Sequence, residues 1–516
     1  MDKRRVRTRR KAREFGTFPC MTDAWTNLER RLRELNDYGS AIKLLEWDQA
    51  AMMPPEGGPA RARAIATLEQ ATHALFTDPE LGDLIHEASD SPNSDPASLR
   101  ILNREYDKAT RVPGELVRAI AEARGGAYQA WTQARPSSDF SILEPHLEKL
   151  LALKKEEADA LGWKDERYDA LLDQYEPGMT TKEVASMFEE LMSGLKPLVE
   201  KVLSNVGDRP AFLHETFERD KQMEFCKWLV KELNFNFEEG RVDISPHPFT
   251  IQIGAGDVRQ TTRPDADDLL MSVYAAVHET GHALYEQGIP VDILDLPIGR
   301  HASLGMHESQ SRLWENQVGR SRAFTSFLLP HLKEMFPEQL GMITPEDFYR
   351  SVNHVERTLL RVTADELTYN LHVGLRFELE TRLFRDELAV ADLPGAWNDA
   401  MDDQLGLRSN GDGDGILQDM HWSIGAFGYF PTYTLGTIYS AAFFDAAVKE
   451  LGNLDEELGR GKTERLLGWL RANVHVHGYR YEAKDLAQKV VGGPITVEPL
   501  LGYLRHKYTG LYSDSA

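Results

Sequence analysis

The chain is expected to fold as a mainly α protein, a large helical body with one small β-sheet beside a central helix. Three observations carry that expectation. Apolar residues recur at spacings of three and four through most of the 516 residues. Capping signals precede several of these runs. One segment alone, 241–263, alternates with a period of two.

Taken in order, Trp25, Leu28, Leu32, Leu35, Tyr38, Ile42 and Leu45 mark a first amphipathic helix. Val184, Met187, Phe188, Leu191, Leu195 and Val199 mark another, opened by Thr180 and Glu183 as a capping box. Thr344, Pro345, Glu346 and Asp347 read as a further helix start. Helical stretches are also expected over roughly 98–133, 142–161, 310–335, 345–392, 433–452 and 463–475. Within 241–263, Val242 and Ile244, then Phe249, Ile251 and Ile253, alternate with polar residues, and Pro-His-Pro and Gly-Ala-Gly supply turns. An exposed strand edge there would suit an extended peptide.

Composition removes several function classes. No apolar stretch approaches the ~18–20 residues of a membrane span. Cys20 and Cys226 are too few for a disulfide framework or a cysteine metal site, which fits a reducing compartment. The net charge is −23, and residues 1–20 hold eight Lys/Arg against two acids, so the remainder carries −29. A body that acidic repels nucleic acid and anionic membranes. Residues 1–20, with no apolar run behind them, read as a disordered basic extension ahead of a single helical domain over 21–516.

The chemistry centres on His278-Glu-Thr-Gly-His282. Two His four apart on a helix share a face and can chelate one ion, and Glu279 between them can act as a general base. Asp265, Asp267 and Asp268 ahead of the motif, the apolar Leu269, Leu270, Val273, Tyr274 and Val277 within it, and Gly288 and Pro290 behind it outline a buried helix. The positions that hold Gly and His in the metzincin extension are Tyr285 and Gly288, which excludes that class. Glu286 lies one turn on and points along the axis. Glu308, in Gly-Met-His-Glu-Ser-Gln, opens a new helical run and is the third ligand expected, with His307 as its rival. Two His and one Glu leave a position for water, as in catalytic zinc sites; Co²⁺ and Mn²⁺ also suit such donors. Asn410-Gly-Asp-Gly-Asp-Gly415 resembles the start of a calcium loop, but its twelfth position is His421 instead of a bidentate Glu. It reads as a turn, and His475 and His477 as structural or surface histidines.

These residues resemble the carboxypeptidase Taq family of metallopeptidases from about Met21 to Tyr508. Besides His-Glu-Thr-Gly-His, the resemblance rests on His247-Pro248-Phe249, Asp257-Val-Arg259-Gln-Thr261, His307-Glu308-Ser309-Gln310, Leu360-Arg361-Val-Thr-Ala364-Asp365 and Gly415-Ile-Leu-Gln418-Asp419-Met-His421-Trp422. It implies a helical body split by a deep groove, shared with thimet oligopeptidase and angiotensin-converting enzyme. It also implies a cytoplasmic homodimer, one metal ion per chain, and removal of single residues from peptides with a free C-terminal carboxylate. By the same resemblance His278, His282 and Glu308 are metal ligands, Glu279 the base, and Arg361 the carboxylate clamp. His421 and Tyr433 would stabilise the transition state, with Tyr429 as the alternative tyrosine. Arg259 is a second candidate clamp, since an Arg fork matches a carboxylate bidentately. Arg361 is expected in a helix with Asp365 orienting it from i+4. The alternative activity is an oligopeptidase or dipeptidyl carboxypeptidase of the same architecture.

Overall fold

The computed structural model describes residues 23–512 apart from 211, 213 and 214, so the basic extension falls outside the described residues. The described chain is mainly helical, with one three-stranded sheet. No helix among the described residues is long and apolar enough to cross a membrane.

The helix Ala24–Ala51 buries Trp25, Leu28, Leu32 and Leu35 in a small core with Leu81, Ile85, Leu99 and Leu102, while Leu44 towards its far end is exposed. A larger core runs from Ile101 to Leu511 and closes over Trp314, Trp397, Tyr285 and Phe324. The Thr180–Glu183 box caps the helix Thr181–Leu203, with both reciprocal bonds formed.

Two long helices expected from periodicity are interrupted. The 98–133 stretch is Pro96–Arg111 followed by Gly114–Ser137, because Pro113 forces Val112 into an extended conformation. The 345–392 stretch breaks more widely. Pro345–Val352 ends early, residues 353–368 run irregularly through a short turn at Arg361–Thr363, and Tyr369–Phe384 follows. Asp365 lies in that irregular run and accepts from the amides of Leu367 and Thr368 and from the Thr368 hydroxyl. Local side-chain bonds of this kind compete with helix.

The sheet has the order β1 (Gly240–Ile244), β3 (Asp257–Thr262), β2 (Thr250–Gly254), with β1 parallel and β2 antiparallel to β3. Gly256, at φ +73°, turns the β2–β3 hairpin in the left-handed conformation that favours glycine. One sheet face lies on the motif helix Leu269–Glu286, where the Thr262 hydroxyl donates to the Ser272 carbonyl and the Thr280 hydroxyl lies 3.1 Å from Gln260 Oε1. The three polar residues that end β3, Gln260, Thr261 and Thr262, are fully buried. Asp268 caps the motif helix by accepting from Met271 N, so the helix starts at Leu269.

The motif helix packs closely on Leu304–Arg312. At Gly281 a Cβ would sit 2.5 Å from Ser311 Cα and 2.7 Å from the Gln310 carbonyl. Gly→Ala in an open helix stabilises by up to ~1 kcal/mol, whereas overpacking a tight contact costs ~1–3 kcal/mol. Gly281→Ala is therefore expected to lower the midpoint of denaturant unfolding. Gly39→Ala, where nothing lies within 4 Å of the added methyl, should leave it unchanged or raise it. Equal behaviour of the two variants would argue against the close approach.

Candidate active site

His278 and His282 stand one turn apart on the motif helix, and Glu308 comes from the facing helix Leu304–Arg312. Ser303 caps that second helix at Met306 N, and the buried Glu176 carboxylate accepts from Gly305 N. Glu308 Oε2 lies 3.6 Å from His278 Nε2 and 3.5 Å from His282 Nε2, and donor atoms of the three residues lie within 4.8 Å of one another. Gly436 backs the carboxylate: a Cβ there would be 2.6 Å from Glu308 Cβ and Cγ.

The donor set fits a divalent cation. His278 Nδ1 is 2.8 Å from Glu315 Oε2, which assigns the proton to Nδ1 and leaves the Nε2 lone pair facing Glu308. Burial, reinforced by His307, pushes His282 down to about 3, so its imidazole is neutral. Burial opposes ionisation of Glu308, but Arg312 (Nε to Oε1, 2.6 Å) and His278 hold it well below the usual carboxylate range. Burial disfavours a charged His278, but Glu308 and Glu315 raise its pKa, so a cation would displace a proton there. With the neutral His282 and the ionised Glu308 it would find the donor set it requires.

Sequence reasoning missed the layer behind these ligands. Arg312 bonds Glu308 and Glu315, and Arg320 bonds Glu315, so acids and arginines alternate along one ridge. Arg312 stands four residues after Glu308, a spacing that is open to view in the sequence. Glu315 lies on the π-helical turn Leu313–Gly319, whose register no α-helical pattern announces.

Glu279 is buried on the side of the motif helix that meets β2. Thr250 Oγ1 is 2.7 Å from its Oε2 and 2.9 Å from its carbonyl. Burial raises the Glu279 carboxyl, against the opposing pull of His278 and Thr250. Arg259 does not join the site. Gln260 and Thr262 face the motif helix, so Arg259 stands on the other sheet face, its fork on Asp257 and its guanidinium over Trp47 at 4.2 Å.

Arg361 is buried on its turn, and Asp419 orients it in place of Asp365. Its Nε and Nη2 bond Asp419 (3.2 and 2.8 Å to Oδ1), and Nη1 donates to the Tyr369 hydroxyl at 2.9 Å. Three of its five N–H groups are thus engaged, leaving one on each terminal nitrogen. The guanidinium stacks on Tyr433 at 5.0 Å, and Arg312 covers the Tyr369 ring at 4.4 Å, so Tyr369 links Arg361 to the Glu308 helix. His421 Nε2 lies 3.4 Å from the Tyr433 hydroxyl, and Tyr429 packs edge-on against Tyr433 at 5.4 Å. Burial pushes His421 down to about 4, which keeps it neutral. Glu380, pushed up to about 7 by burial, anchors this loop by accepting from Tyr168, Trp422 Nε1 and Gly428 N. Tyr433 and Gly436 share the helix Pro431–Leu451, so the helix that presents Tyr433 is the one that packs on Glu308.

Two other motifs are structural. Residues 410–418 form turns in which Asp412 accepts from Phe140 N, and the buried His475 lies 3.0 Å from Gln310 Oε1.

Comparison with known proteins places the chain in a family. The family model for carboxypeptidase Taq (M32) metallopeptidase matches residues 27–508. The chain is 42% identical over 506 residues to thermostable carboxypeptidase 1 of Thermus thermophilus, covering 95% of this chain and 99% of that protein. It is 36% identical over 487 residues to carboxypeptidase 1 of Bacillus subtilis, covering 93% and 97%. The crystal structure of the M32 carboxypeptidase from Deinococcus radiodurans R1 superposes with a TM-score of 0.93 at 41% identity, over 95% of this chain and 99% of that one. The chain belongs to the carboxypeptidase Taq family. It is a metallocarboxypeptidase, a peptide hydrolase that depends on a divalent metal ion.

In this metallocarboxypeptidase one carboxylate, Asp419, balances two buried guanidiniums. Arg376 Nη2 is 2.6 Å from its Oδ2, opposite Arg361. Burial opposes its charge, but Arg376 and Arg361 hold its carboxyl far below the ordinary range. A carboxyl depressed in the folded state adds stability above its unfolded pKa of ~3.9 and loses it as pH falls below that value. Asp419→Asn should destabilise by about 3–5 kcal/mol at neutral pH, because two buried cations lose their counter-charge. Its urea midpoint should also fall less steeply than wild type below pH ~4. A variant within about 1 kcal/mol of wild type at pH 7 would show that the guanidiniums are solvated instead.

Proposed function

We propose that the enzyme removes single residues from the C-terminus of peptides, with broad preference, using one Zn²⁺ per chain held by His278, His282 and Glu308. Co²⁺ and Mn²⁺ are compatible with the same donors. The observation that carries this reading is the convergence of those three donors within 4.8 Å beside the buried Glu279. A bound divalent cation supplies Lewis acidity and lowers the pKa of its water towards ~7. Glu279, steadied by Thr250, takes the proton of the attacking water and returns it to the leaving amine. The neutral His421 and the Tyr433 hydroxyl donate to the oxyanion as it develops, and Tyr429 is the alternative donor. The free N–H of each Arg361 terminal nitrogen binds the peptide's terminal carboxylate. Arg361 is preferred to Arg259, which stands on the sheet face turned away from the motif helix, over Trp47.

The helical body is proposed to be split by a deep groove, with β2 at its wall for an extended peptide. Residues 21–516 are proposed to act as one catalytic domain, a reading supported by the core that runs from Ile101 to Leu511. A cytoplasmic location is supported by the free, buried Cys226, and a homodimer by resemblance to the family.

Two expected outcomes test the assignment. Glu308→Ala should lose bound metal and activity together, whereas Glu279→Gln should hold metal normally and turn over ~10²–10⁴-fold more slowly. One equivalent of metal held by Glu308→Ala as tightly as by wild type at limiting Zn²⁺, measured by elemental analysis, would remove Glu308 from the ligand set.

Arg361→Ala should raise KM strongly for peptides with a free C-terminus while metal content stays normal, and Arg361→Lys should recover part of the loss. Amidated peptides should resist the wild type. Their cleavage would favour the oligopeptidase reading, and an unchanged free-to-amide ratio in Arg361→Ala would place the clamp elsewhere.

A further inference from the structure

Glu286 follows His282 by one further turn on the motif helix, but it does not reach the first ligand set. It meets His301, from the loop before Ser303, and His307, the neighbour of Glu308. His307 Nε2 is 2.8 Å and His301 Nδ1 3.3 Å from the same oxygen, Glu286 Oε1. Donor atoms of the three residues lie within 4.8 Å of one another, so composition and compactness match the His278–His282–Glu308 set. The two sets are neighbours, since His307 stacks on His282 with ring centroids 4.2 Å apart at 13°.

Glu308, Glu315 and Asp419 each pair with at least one arginine. Of the buried acids here without an Arg or Lys partner, Glu279, Glu380 and Glu176 are held by hydroxyl, indole and amide donors, whereas Glu286 is held by imidazoles. Glu286 is 7% exposed, and its ion-pair partners among the described residues are these two histidines, which are charged only when protonated. A buried carboxylate that stays ionised needs a counter-charge, and where no Arg or Lys supplies it, a protonated partner or a metal ion must. Each of these nitrogen–oxygen contacts needs a proton or a cation between its two atoms, and a divalent ion bound at that point would take the place of the protons.

We propose that Glu286, His301 and His307 form a second site for a divalent transition-metal ion, beside the first and filled when free metal is in excess. Imidazole donors favour Zn²⁺ or Co²⁺ over Mg²⁺ or Ca²⁺. Two cations so close repel, so filling either site weakens the other by the same factor. The proposal rests on the first ligand set only for that coupling.

Equilibrium dialysis of the full chain against Zn²⁺, with metal counted by elemental analysis, tests it. Wild type should take up two equivalents in excess Zn²⁺. His301→Asn, at a partly exposed position, and Glu286→Gln, which keeps the side chain's shape, should each take up one, with far-UV circular dichroism reporting the fold. Glu308→Ala should lose the tighter equivalent and keep the His301-dependent one. Saturation of wild type at one equivalent would overturn the second site and leave the histidine N–H groups as the partners of Glu286. Two equivalents in a folded His301→Asn would overturn it as well. Two equivalents in Glu308→Ala, with one in His301→Asn, would instead retire the first assignment and leave the second standing.

Discussion

The site depends on how closely two helices approach. Chelation by His278 and His282 needs a third donor from outside their own helix, and Glu308 reaches them only because Leu304–Arg312 lies almost backbone to backbone against the motif helix. Gly281 makes that approach possible by having no Cβ to place against Ser311. Gly436 does the same on the opposite side, bringing the helix of Tyr433 against Glu308. A methyl group at either position would widen a spacing that the ligand geometry cannot absorb, because three donors within 4.8 Å leave no slack for a shifted helix.

The second constraint is electrostatic. Ionised carboxylates removed from water must meet opposite charge, and the fold meets that need by alternation. Glu308, Arg312, Glu315 and Arg320 follow one another along a single segment, and Asp419 stands between Arg361 and Arg376. These arginines are positional as well as neutralising. Arg312 fixes one Glu308 oxygen and leaves the other towards the histidines, while Asp419 and the Tyr369 hydroxyl hold Arg361 from two sides. Tyr369 ties the two clusters together, with its ring under Arg312 and its hydroxyl on Arg361. Distances among the proposed metal ligands, carboxylate clamp and oxyanion donors are thereby set by one connected polar framework rather than by separate loops.

Much of the site is legible in the amino-acid sequence. The i,i+4 rule alone puts His278 and His282 on one face. The run after Ser303 offers Glu308 as a third donor, and the family resemblance names His421 and Tyr433, which the fold brings to 3.4 Å. Periodicity identifies most helices and the one sheet. It errs where local polar groups outbid the helix, at Asp365, and where proline breaks a continuous apolar pattern, at Pro113. Arg361 stands out in the sequence as a cation with a role, but its partner does not, because Asp365 is near along the chain and Asp419 is near only in space.

Local pattern specifies the inventory: helices, one sheet, and the residue types able to bind a metal ion, move a proton and hold a carboxylate. These follow from periodicity and from spacings shorter than one or two helical turns, where geometry is fixed by the backbone. Packing of the elements decides the pairings. Glu315 behind His278, Thr250 on Glu279, Asp419 between two arginines, and Glu286 with His301 and His307 all join residues from different segments or across a π-helical turn. Such contacts depend on how elements pack, and packing is set by close approaches such as Gly281 that no local pattern encodes.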